Sequence, residues 1–518
     1  MSLADHVRVC FHGAGVAIDP AALAHVEARR EAMLAHARSD PTAYGINTGL
    51  GLFNRVPVSP PDEAEFQRLI LCGRANGVGP PLSEPVVRGA MLLRLEGFLA
   101  GHAGVSAQLC ERIAQLLGGG WHPHVPAAAS GNAGEVTPLA HLFQTLVGEG
   151  LVRGGEGWVG AERGLEALGL RPLALGVKEG LALVNGAPLA VALAVPLALR
   201  AALLLEHATV AGALWVALCG ASGRPYSRRV GELSGDRGRT LVCARMGALL
   251  DGGDALGPRL QAPVSLRVIP QVHGAAAGAL WALLCALEVE LRAVSDSPVF
   301  LDADPATGEP AGIYPTGNFH AASITLALEA LGLAFAHVLN LLEKRLHRLM
   351  DSRFSTLPDQ LSAQPGLRSG VTGLHKQVVG LCAQARALAL PSSLAALDAS
   401  TGQEDIEAHT LLVALRLSQL LDCLELALAY ELVALRQAAA LSPHRPPPPL
   451  AVALERIAAL VEPALVDRSL AADVERVRRL VAGGGLLDGL PRAGGELVRG
   501  CPPVDPHLLA LTCEGPRA

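Results

Sequence analysis

The sequence predicts a mainly α-helical protein, with a central bundle of long helices and a mixed N-terminal region that carries the active-site loops. Half of the 518 residues are hydrophobic but only 3% are aromatic, a composition that suits close-packed helices better than β-sandwiches. Segments with apolar residues at helical spacing dominate from about residue 180 to residue 440.

The length of the chain allows one elongated unit or two to three domains. We predict an N-terminal active-site region at 1–165, a long-helix bundle at 166–440 and a C-terminal helical tail at 441–518. The formal charge of −6 gives no basic field, so no nucleic-acid partner is expected. The ten cysteines contain no CxxC pair, which indicates reduced thiols in a cytoplasmic protein.

Two apolar segments, 180–199 and 201–221, could each pass for a membrane span. Asn185 and Pro188 interrupt the first, and Glu206 interrupts the second. We interpret both as helices buried inside a large bundle, with a membrane-spanning pair as the alternative.

Helix boundaries can be predicted at several points along the chain. Thr137 and Pro138 form a helix start, with a capping hydroxyl followed by proline at the first helical position. The proline-rich run at 443–449 ends the last long helix, because proline lacks the amide donor. The long apolar periodic segments are 275–294, 321–350, 371–390 and 405–438.

Several short motifs occur in a fixed order along the chain. They are 44–51 (YGINTGLG), 137–142 (TPLAHL), 178–186 (KEGLALVNG), 265–274 (SLRVIPQVHG), 317–320 (GNFH) and 403–405 (QED). In these motifs and their order the chain resembles the histidine and aromatic amino acid ammonia-lyases. The resemblance implies an ammonia-lyase-like fold and a homotetramer whose active sites combine residues of several subunits.

The resemblance also implies catalytic residues. It assigns a catalytic role to Tyr44, Asn185 and Glu404. A tyrosine beside a cation can transfer protons, and Asn185 corresponds to the family asparagine that lies against the prosthetic group. Glu404 matches the histidine branch of the family, whereas phenylalanine lyases carry glutamine there.

Four further residues are expected to bind substrate. The resemblance gives Arg267 the role of holding the substrate carboxylate, which a guanidinium fork matches. Arg74 falls where the histidine branch has a histidine that recognises the ring. Asn318 and Gln403 complete the set. No carboxylate or thiol pattern surrounds the histidines of the motifs, so we predict no metal site.

The prosthetic group is where the chain departs from the family. There an Ala-Ser-Gly tripeptide before the helix cyclises to a methylidene-imidazolone, MIO, the electrophile for deamination. Aligned back from Pro138, that position holds Asn132, Ala133 and Gly134. Alanine has no hydroxyl to expel, and Val264 replaces the tyrosine that serves the family as an acid or base. The sequence therefore predicts an enzyme without MIO or any other cofactor.

Three functions follow as hypotheses. The first is acid–base chemistry without MIO, by proton abstraction next to a carbonyl, on a small anionic or carrier-protein-bound substrate. The second is an MIO-dependent amino acid ammonia-lyase or aminomutase that uses the literal tripeptide Ala129, Ser130 and Gly131. The third is a non-catalytic scaffold subunit.

Overall fold

A computed structural model shows a mainly α-helical protein, as the sequence predicts. The structure describes residues 1–40, 42–127, 131, 133–155, 157–252, 261–394 and 398–490. The helices are α1 (Leu3–His12), α2 (Pro20–Ser39), α3 (Glu63–Cys72), α4 (Glu84–Leu99), α5 (Ala107–Gly118), α6 (Val136–Phe143), α7 (Ala161–Ala167), α8 (Glu179–Val184), α9 (Pro188–Leu218), α10 (Arg228–Glu232), α11 (Arg237–Leu249), α12 (Val264–Arg267), α13 (Ile269–Glu290), α14 (Ala322–Leu349), α15 (Ser352–Ser355), α16 (Thr372–Leu388), α17 (Thr410–Leu441), α18 (Pro448–Ala458) and α19 (Ala471–Ala482).

The β structure of the described residues is confined to two short antiparallel pairs. Strands β1 (Leu151–Gly154) and β2 (Gly157–Gly160) form one, and β3 (Val299–Leu301) and β4 (Gly312–Tyr314) form the other. Val299 pairs with Tyr314 in the second ribbon, which places the loop that follows β4 close to the turn that precedes β3.

The chain divides into two compact units, each built from three stretches. The first consists of Met1–Val195, Ala286–Leu326 and Pro391–Leu415, and the second of Pro196–Cys285, Ala327–Leu390 and Arg416–Ala518. The division falls inside helices α9, α13, α14 and α17. The segments predicted at 1–165, 166–440 and 441–518 remain a prediction about order along the chain.

The long helices follow the apolar periodicity closely where no loop interrupts it. Helix α14 covers the segment predicted at 321–350 almost to the residue. Helix α17 begins at Thr410, five residues later than predicted. The residues before it form an irregular loop that includes a 3₁₀ turn at Ser400–Gly402. Helix α17 ends at Leu441, just ahead of the prolines, as predicted.

Helix α6 begins differently from the prediction. Its first residue is Val136, so Thr137 lies inside the helix and Glu135 takes the capping position. Pro138 therefore stands third in the helix, where its missing amide costs nothing because first-turn amides have no partner within the helix. The side chain of Glu135 does not cap its own helix.

Both predicted apolar segments are helical. Three described helical stretches are long and apolar enough to span a membrane by length and composition, namely Glu179–Leu218, Ile269–Glu290 and Ala322–Leu349. In the first stretch, 83% of the most apolar window is buried inside the protein. That extent of burial agrees with the interpretation of 180–199 and 201–221 as helices of a protein interior.

A buried ion pair organises the second unit. Arg345 of α14 and Glu431 of α17 are both fully buried, with Nη2 of the arginine 2.8 Å from Oε2 of the glutamate. The indole of Trp215 donates a hydrogen bond of 3.0 Å to the carbonyl oxygen of Arg345. Loss of either side chain would leave the other as an unpaired charge in an apolar interior, which is strongly destabilising. The pair therefore fixes the packing of α14 against α17.

Candidate active site

The loop that leads into α6 is tied to two other segments of the first unit. The amide nitrogen of Ala133 donates to Oε2 of Glu404 across 2.8 Å, and that of Glu135 donates to the carbonyl oxygen of Gly186 across 2.9 Å. A Cβ atom at Gly134 would stand 2.9 Å from the same Gly186 oxygen. Only glycine fits there without displacing the backbone, so this part of the loop has a defined place.

Glu404 links this loop to a second, irregular loop. Its Oε1 accepts a hydrogen bond of 2.6 Å from Ser400, so each carboxylate oxygen has one protein donor. The backbone around it is unusual, with positive φ at Ser400, Thr401 and His409. Such conformations persist where surrounding contacts hold them, and they cluster at functional sites. Gln403, next to Glu404, is exposed.

Tyr44 and Arg74 lie close to Glu404. The phenol oxygen of Tyr44 accepts a hydrogen bond of 3.3 Å from the amide of Gly51, which holds the ring in its glycine-rich turn. Burial lowers the pKa of the Arg74 guanidinium, and the nearby Tyr44 and Glu404 oppose that shift. The three side chains therefore share one electrostatic environment, in which a guanidinium stands beside a phenol and a carboxylate.

Asn185 is positioned by an anionic turn. Its Nδ2 donates to Oδ1 of Asp296 and to the carbonyl oxygen of Ser297, each across 2.8 Å. Asp296 in turn pairs with the buried Lys178, whose Nζ lies 2.6 Å from Oδ2. Burial lowers the pKa of Lys178, and the charge of Asp296 opposes that shift. With both amide hydrogens committed, Asn185 offers only its oxygen to a ligand.

A cavity lies directly in front of the loop. Ala133, Gly134 and Glu135 line one side of it, together with Ala187 from the segment after Asn185. The remaining lining residues are Phe319, Ala321, Ala408, His409, Thr410, Leu411 and Leu412. The cavity is therefore lined by the N-terminal ends, or the loops just before them, of helices α6, α9 and α17. The N-terminus of a helix carries partial positive charge, which favours an anion.

None of the four predicted substrate-binding residues is part of that lining. Asn318 is exposed, and its Nδ2 donates a hydrogen bond of 3.3 Å to the carbonyl oxygen of Val294. Its neighbour Phe319, not Asn318, faces the cavity. Gln403 is exposed on the loop that carries Glu404. The roles predicted for these two residues remain predictions.

Arg267 belongs to the second unit. It ends the short helix α12, is half-buried, and donates through Nε to the carbonyl oxygen of Ala262 across 3.0 Å. One nitrogen is thus used to fix the side chain, and the other two remain for a ligand. Val264, at the start of the same helix, is 61% exposed.

Two carboxylates near the cavity belong to none of the motifs and were not predicted as site residues. Glu135 is buried, and its two oxygens accept from the amides of Leu189 and Ala190, each across 2.7 Å, at the start of α9. Burial raises the pKa of Glu135 to about 8, although the amides act in the opposite direction. No sequence pattern indicated it, because the predicted helix start was Thr137 and Pro138, two residues further along the chain.

Glu407 is the second unpredicted carboxylate. It is 6% exposed, and neither of its oxygens has a hydrogen-bond partner among the described residues. Burial, together with the nearby charge of Glu404, raises the pKa of Glu407 to about 7. It lies two residues after QED, within a segment that the sequence predicts to be helical. No sequence pattern therefore distinguishes it from an exposed helical glutamate.

Part of the tripeptide region lies outside the described residues. Ala129, Ser130 and Asn132 are not among them, whereas Gly131 is described and exposed. Of the predicted loop of Asn132, Ala133 and Gly134, the structure therefore describes the last two residues. Both line the cavity, as expected of the loop before α6.

Known proteins resemble this chain over nearly its whole length. A histidine ammonia-lyase of Symbiobacterium thermophilum is 33% identical, across 96% of this chain and 98% of its own. One from Aromatoleum aromaticum is 34% identical, across 98% of both. The structure of a tyrosine aminomutase from Streptomyces globisporus superposes with a TM-score of 0.85 at 26% identity, across 98% of both chains.

These relatives overturn two expectations from the sequence. The hypothesis of acid–base chemistry without MIO is wrong as the main function, because near-full-length relatives are histidine ammonia-lyases. The expectation of no cofactor is wrong for the same reason, since histidine ammonia-lyases and aminomutases imply the MIO group. Both expectations rested on the alignment that puts Asn132, Ala133 and Gly134 at the tripeptide position, whereas a literal Ala-Ser-Gly stands three residues upstream.

The predicted fold and enzyme class are confirmed. The superposition shows an ammonia-lyase fold, and the family relationship makes the chain an enzyme of the lyase class, against the scaffold hypothesis. The family model described as "Aromatic amino acid lyase" matches residues 1–462. The chain therefore belongs to the aromatic amino acid lyase family.

Proposed function

We propose that this protein is an MIO-dependent amino acid ammonia-lyase, with L-histidine as its first candidate substrate. The identity of 33–34% to histidine ammonia-lyases over nearly the whole chain supports the reaction. The observation that carries the proposal is the hydrogen bond from Ala133 to Glu404. It places a carboxylate typical of the histidine branch directly against the loop that follows Ala129, Ser130 and Gly131.

The residues present fit an MIO group in composition. Ala129, Ser130 and Gly131 supply the three residues whose cyclisation forms it, and Asn132 alone separates them from Ala133. Ala133 and Gly134 line the cavity and are held by Glu404 and Gly186. When formed, MIO supplies an electrophile that makes the amino group of a substrate a better leaving group.

The remaining chemistry belongs to side chains of this chain. Tyr44, beside Arg74, is suited to take a proton from the substrate or return one to it. Glu404 holds the loop and places negative charge next to that pair. The oxygen of Asn185, fixed through its amide nitrogen, can accept a hydrogen bond from the substrate.

Binding of the substrate carboxylate is assigned to cationic groups. Arg267 keeps two guanidinium nitrogens for a carboxylate after Nε binds Ala262. Arg74 is the second cation, and Asn318 and Gln403 are proposed to contact the substrate from the loops beside the cavity. Each of these assignments rests on the position of the residue in a family motif and on the contacts described above.

Negative charge near the cavity favours a substrate with a basic side chain. Glu404 lies where phenylalanine lyases carry glutamine, and Glu407 adds a buried carboxylate whose pKa the charge of Glu404 helps to raise. An imidazole can bind to carboxylates as donor or cation, which an unsubstituted phenyl ring cannot. This difference favours histidine over phenylalanine.

An aminomutase is the second candidate, because a tyrosine aminomutase shares the fold at 26% identity. The test is to incubate the purified protein with L-histidine, L-tyrosine and L-phenylalanine, and to separate the products by chromatography. A lyase releases ammonia and the α,β-unsaturated acid, whereas an aminomutase returns the β-amino acid. The Ser130→Ala variant, which cannot form MIO, is the matched control and should give neither product.

We also propose that the enzyme is a cytoplasmic homotetramer that acts on a small molecule, without a nucleic-acid or membrane partner. Large apolar side chains stand exposed on its longest helices, among them Val289, Leu326 and Leu333, and subunit contacts would cover them. The net charge of −6 opposes nucleic-acid binding. Sedimentation should give a single tetrameric species, and a monomer at assay concentration would contradict this.

A further inference from the structure

A cluster of metal-binding side chains lies in the second unit, among residues to which the reaction assigns no role. Glu343 and His347 are four residues apart on α14, and His375 is on α16. One ligand atom from each of the three lies within 4.8 Å of the others. Residues four apart on a helix share one face, so Glu343 and His347 both point toward α16.

The cluster already contains the contacts of a partly assembled site. Nε2 of His375 lies 2.8 Å from Oε1 of Glu343. The rings of His347 and His375 are stacked, with centroids 4.8 Å apart and planes at 28°. Lys344 binds the other carboxylate oxygen, Oε2, across 2.7 Å, which orients Oε1 toward the histidines. A simple ion pair between Glu343 and His375 would not need a second imidazole against it.

We propose that Glu343, His347 and His375 form a binding site for a first-row divalent metal ion, with Zn²⁺ as the ion to test. Two imidazoles and one carboxylate are a ligand set that zinc accepts when its fourth position is left to water. The site departs from the sequence expectation of no metal. That expectation considered cysteine pairs and motif histidines, and His375 is distant from α14 along the chain.

The geometry needs only a small adjustment to bind the ion. Zinc–ligand distances of about 2.0–2.2 Å place tetrahedral ligand atoms about 3.3–3.5 Å apart. Glu343 is buried and His375 half-buried, whereas His347 is exposed. Rotation of the exposed His347 ring can therefore close the gap, and the same exposure gives the ion a path from solvent. Once bound, the ion would tie α14 to α16.

The experiment measures zinc bound by the full-length protein. After treatment with a chelator and its removal, the protein is dialysed against ZnCl₂ and its metal content is determined, with calorimetric titration for affinity. The variants are His347→Ala and His375→Ala. The matched control is His337→Ala, which removes another exposed histidine of α14 outside the cluster. Far-ultraviolet circular dichroism confirms that each variant is folded.

We expect the wild type and His337→Ala to bind one zinc ion per chain more than His347→Ala or His375→Ala binds. Zinc should also raise the unfolding temperature of the wild type and of His337→Ala by more than it raises the unfolding temperature of the two cluster variants. Because His347 is exposed, its truncation leaves the interior intact. Equal zinc binding by wild type and His347→Ala would overturn the proposal, as would no zinc bound to the wild type.

Discussion

The amide of Ala133 and the carboxylate of Glu404 are 2.8 Å apart, although 271 residues separate them in the sequence. Through this bond the loop before α6 and the loop before α17 hold each other in place. The other oxygen of Glu404 accepts from Ser400, so the carboxylate is fixed at both ends. A charged acceptor on a backbone amide is stronger than a neutral one, which suits a group that must hold a reactive loop.

Glu404 should contribute separately to structure and to catalysis. Glu404→Gln keeps an oxygen for the Ala133 amide but removes the charge, so we expect the stability to change by less than about 1 kcal/mol. The kcat should fall by about 100-fold or more, as is typical when an acid–base group is lost. Glu404→Ala removes the acceptor as well and should lower stability by a further ~1–3 kcal/mol. Equal kcat in wild type and Glu404→Gln would contradict the catalytic role.

Tyr44→Phe tests proton transfer while leaving the packing of the ring. The hydroxyl accepts one long hydrogen bond, from the amide of Gly51 at 3.3 Å, so its loss should change stability by no more than about 1 kcal/mol. We expect kcat to fall by about 10²–10⁴-fold with little change in KM. Steady-state kinetics measures both constants, and thermal unfolding is the control for the stability of the variant. A rise in KM with unchanged kcat would indicate a binding role instead.

The buried pair of Lys178 and Asp296 should be essential for stability and should position Asn185. Asp296→Asn leaves the Lys178 ammonium, which is 1% exposed, without its anion. We expect a loss of about 3–5 kcal/mol in the free energy of unfolding. The variant Lys178→Met with Asp296→Asn removes both charges and should recover part of that loss. Denaturant unfolding of the single and double variants measures the coupling, and purely additive effects would contradict it.

Stability should fall on the acid side because of a buried neutral histidine. His6 is fully buried, neither ring nitrogen has a hydrogen-bond partner among the described residues, and burial lowers its pKa from 6.5 to about 4. Between those values the unfolded chain binds a proton that the folded chain does not. The free energy of unfolding therefore decreases as the pH falls from 6.5 toward 4, by up to about 3 kcal/mol from this residue.

His6→Leu removes that acid-sensitive group and keeps an apolar side chain in its place. We expect its unfolding free energy to depend less steeply on pH between 6.5 and 4 than that of the wild type. Chemical denaturation at a series of pH values checks this, with His337→Ala as a control, because that histidine is exposed. Identical pH slopes for wild type and His6→Leu would show that His6 is protonated in the folded protein.

Local sequence patterns predict the helices well and the contacts between loops poorly. Helix α14 follows its apolar period from end to end and contains no proline, so its bounds are predicted almost exactly. The start of α17 is predicted five residues early, since 405–409 continues the helical pattern. The left-handed backbone of His409 and the bond from Ala133 to Glu404 break that pattern, and neither leaves a local signal.

The motifs identified several candidate site residues, but not the residues that fix the positions of their side chains. Tyr44, Arg74 and Glu404, which the resemblance to the family singles out, lie close enough to influence one another electrostatically. The role of Asp296 in fixing Asn185 depends on a turn 111 residues away. Glu407 looks like any helical glutamate, and only its burial without a partner distinguishes it. The boundary of the tripeptide depends on the alignment of one short loop, which a single sequence determines poorly.

The intact mass of the purified protein shows whether Ala129, Ser130 and Gly131 form MIO. Peptide mapping across 121–150 locates any change, with Ser130→Ala as the unmodified control. We predict a deficit of two water molecules in the wild type, confined to the tripeptide and absent from the variant. A wild-type mass equal to that of the unmodified sequence would contradict the proposed cofactor and the amino acid lyase activity that depends on it.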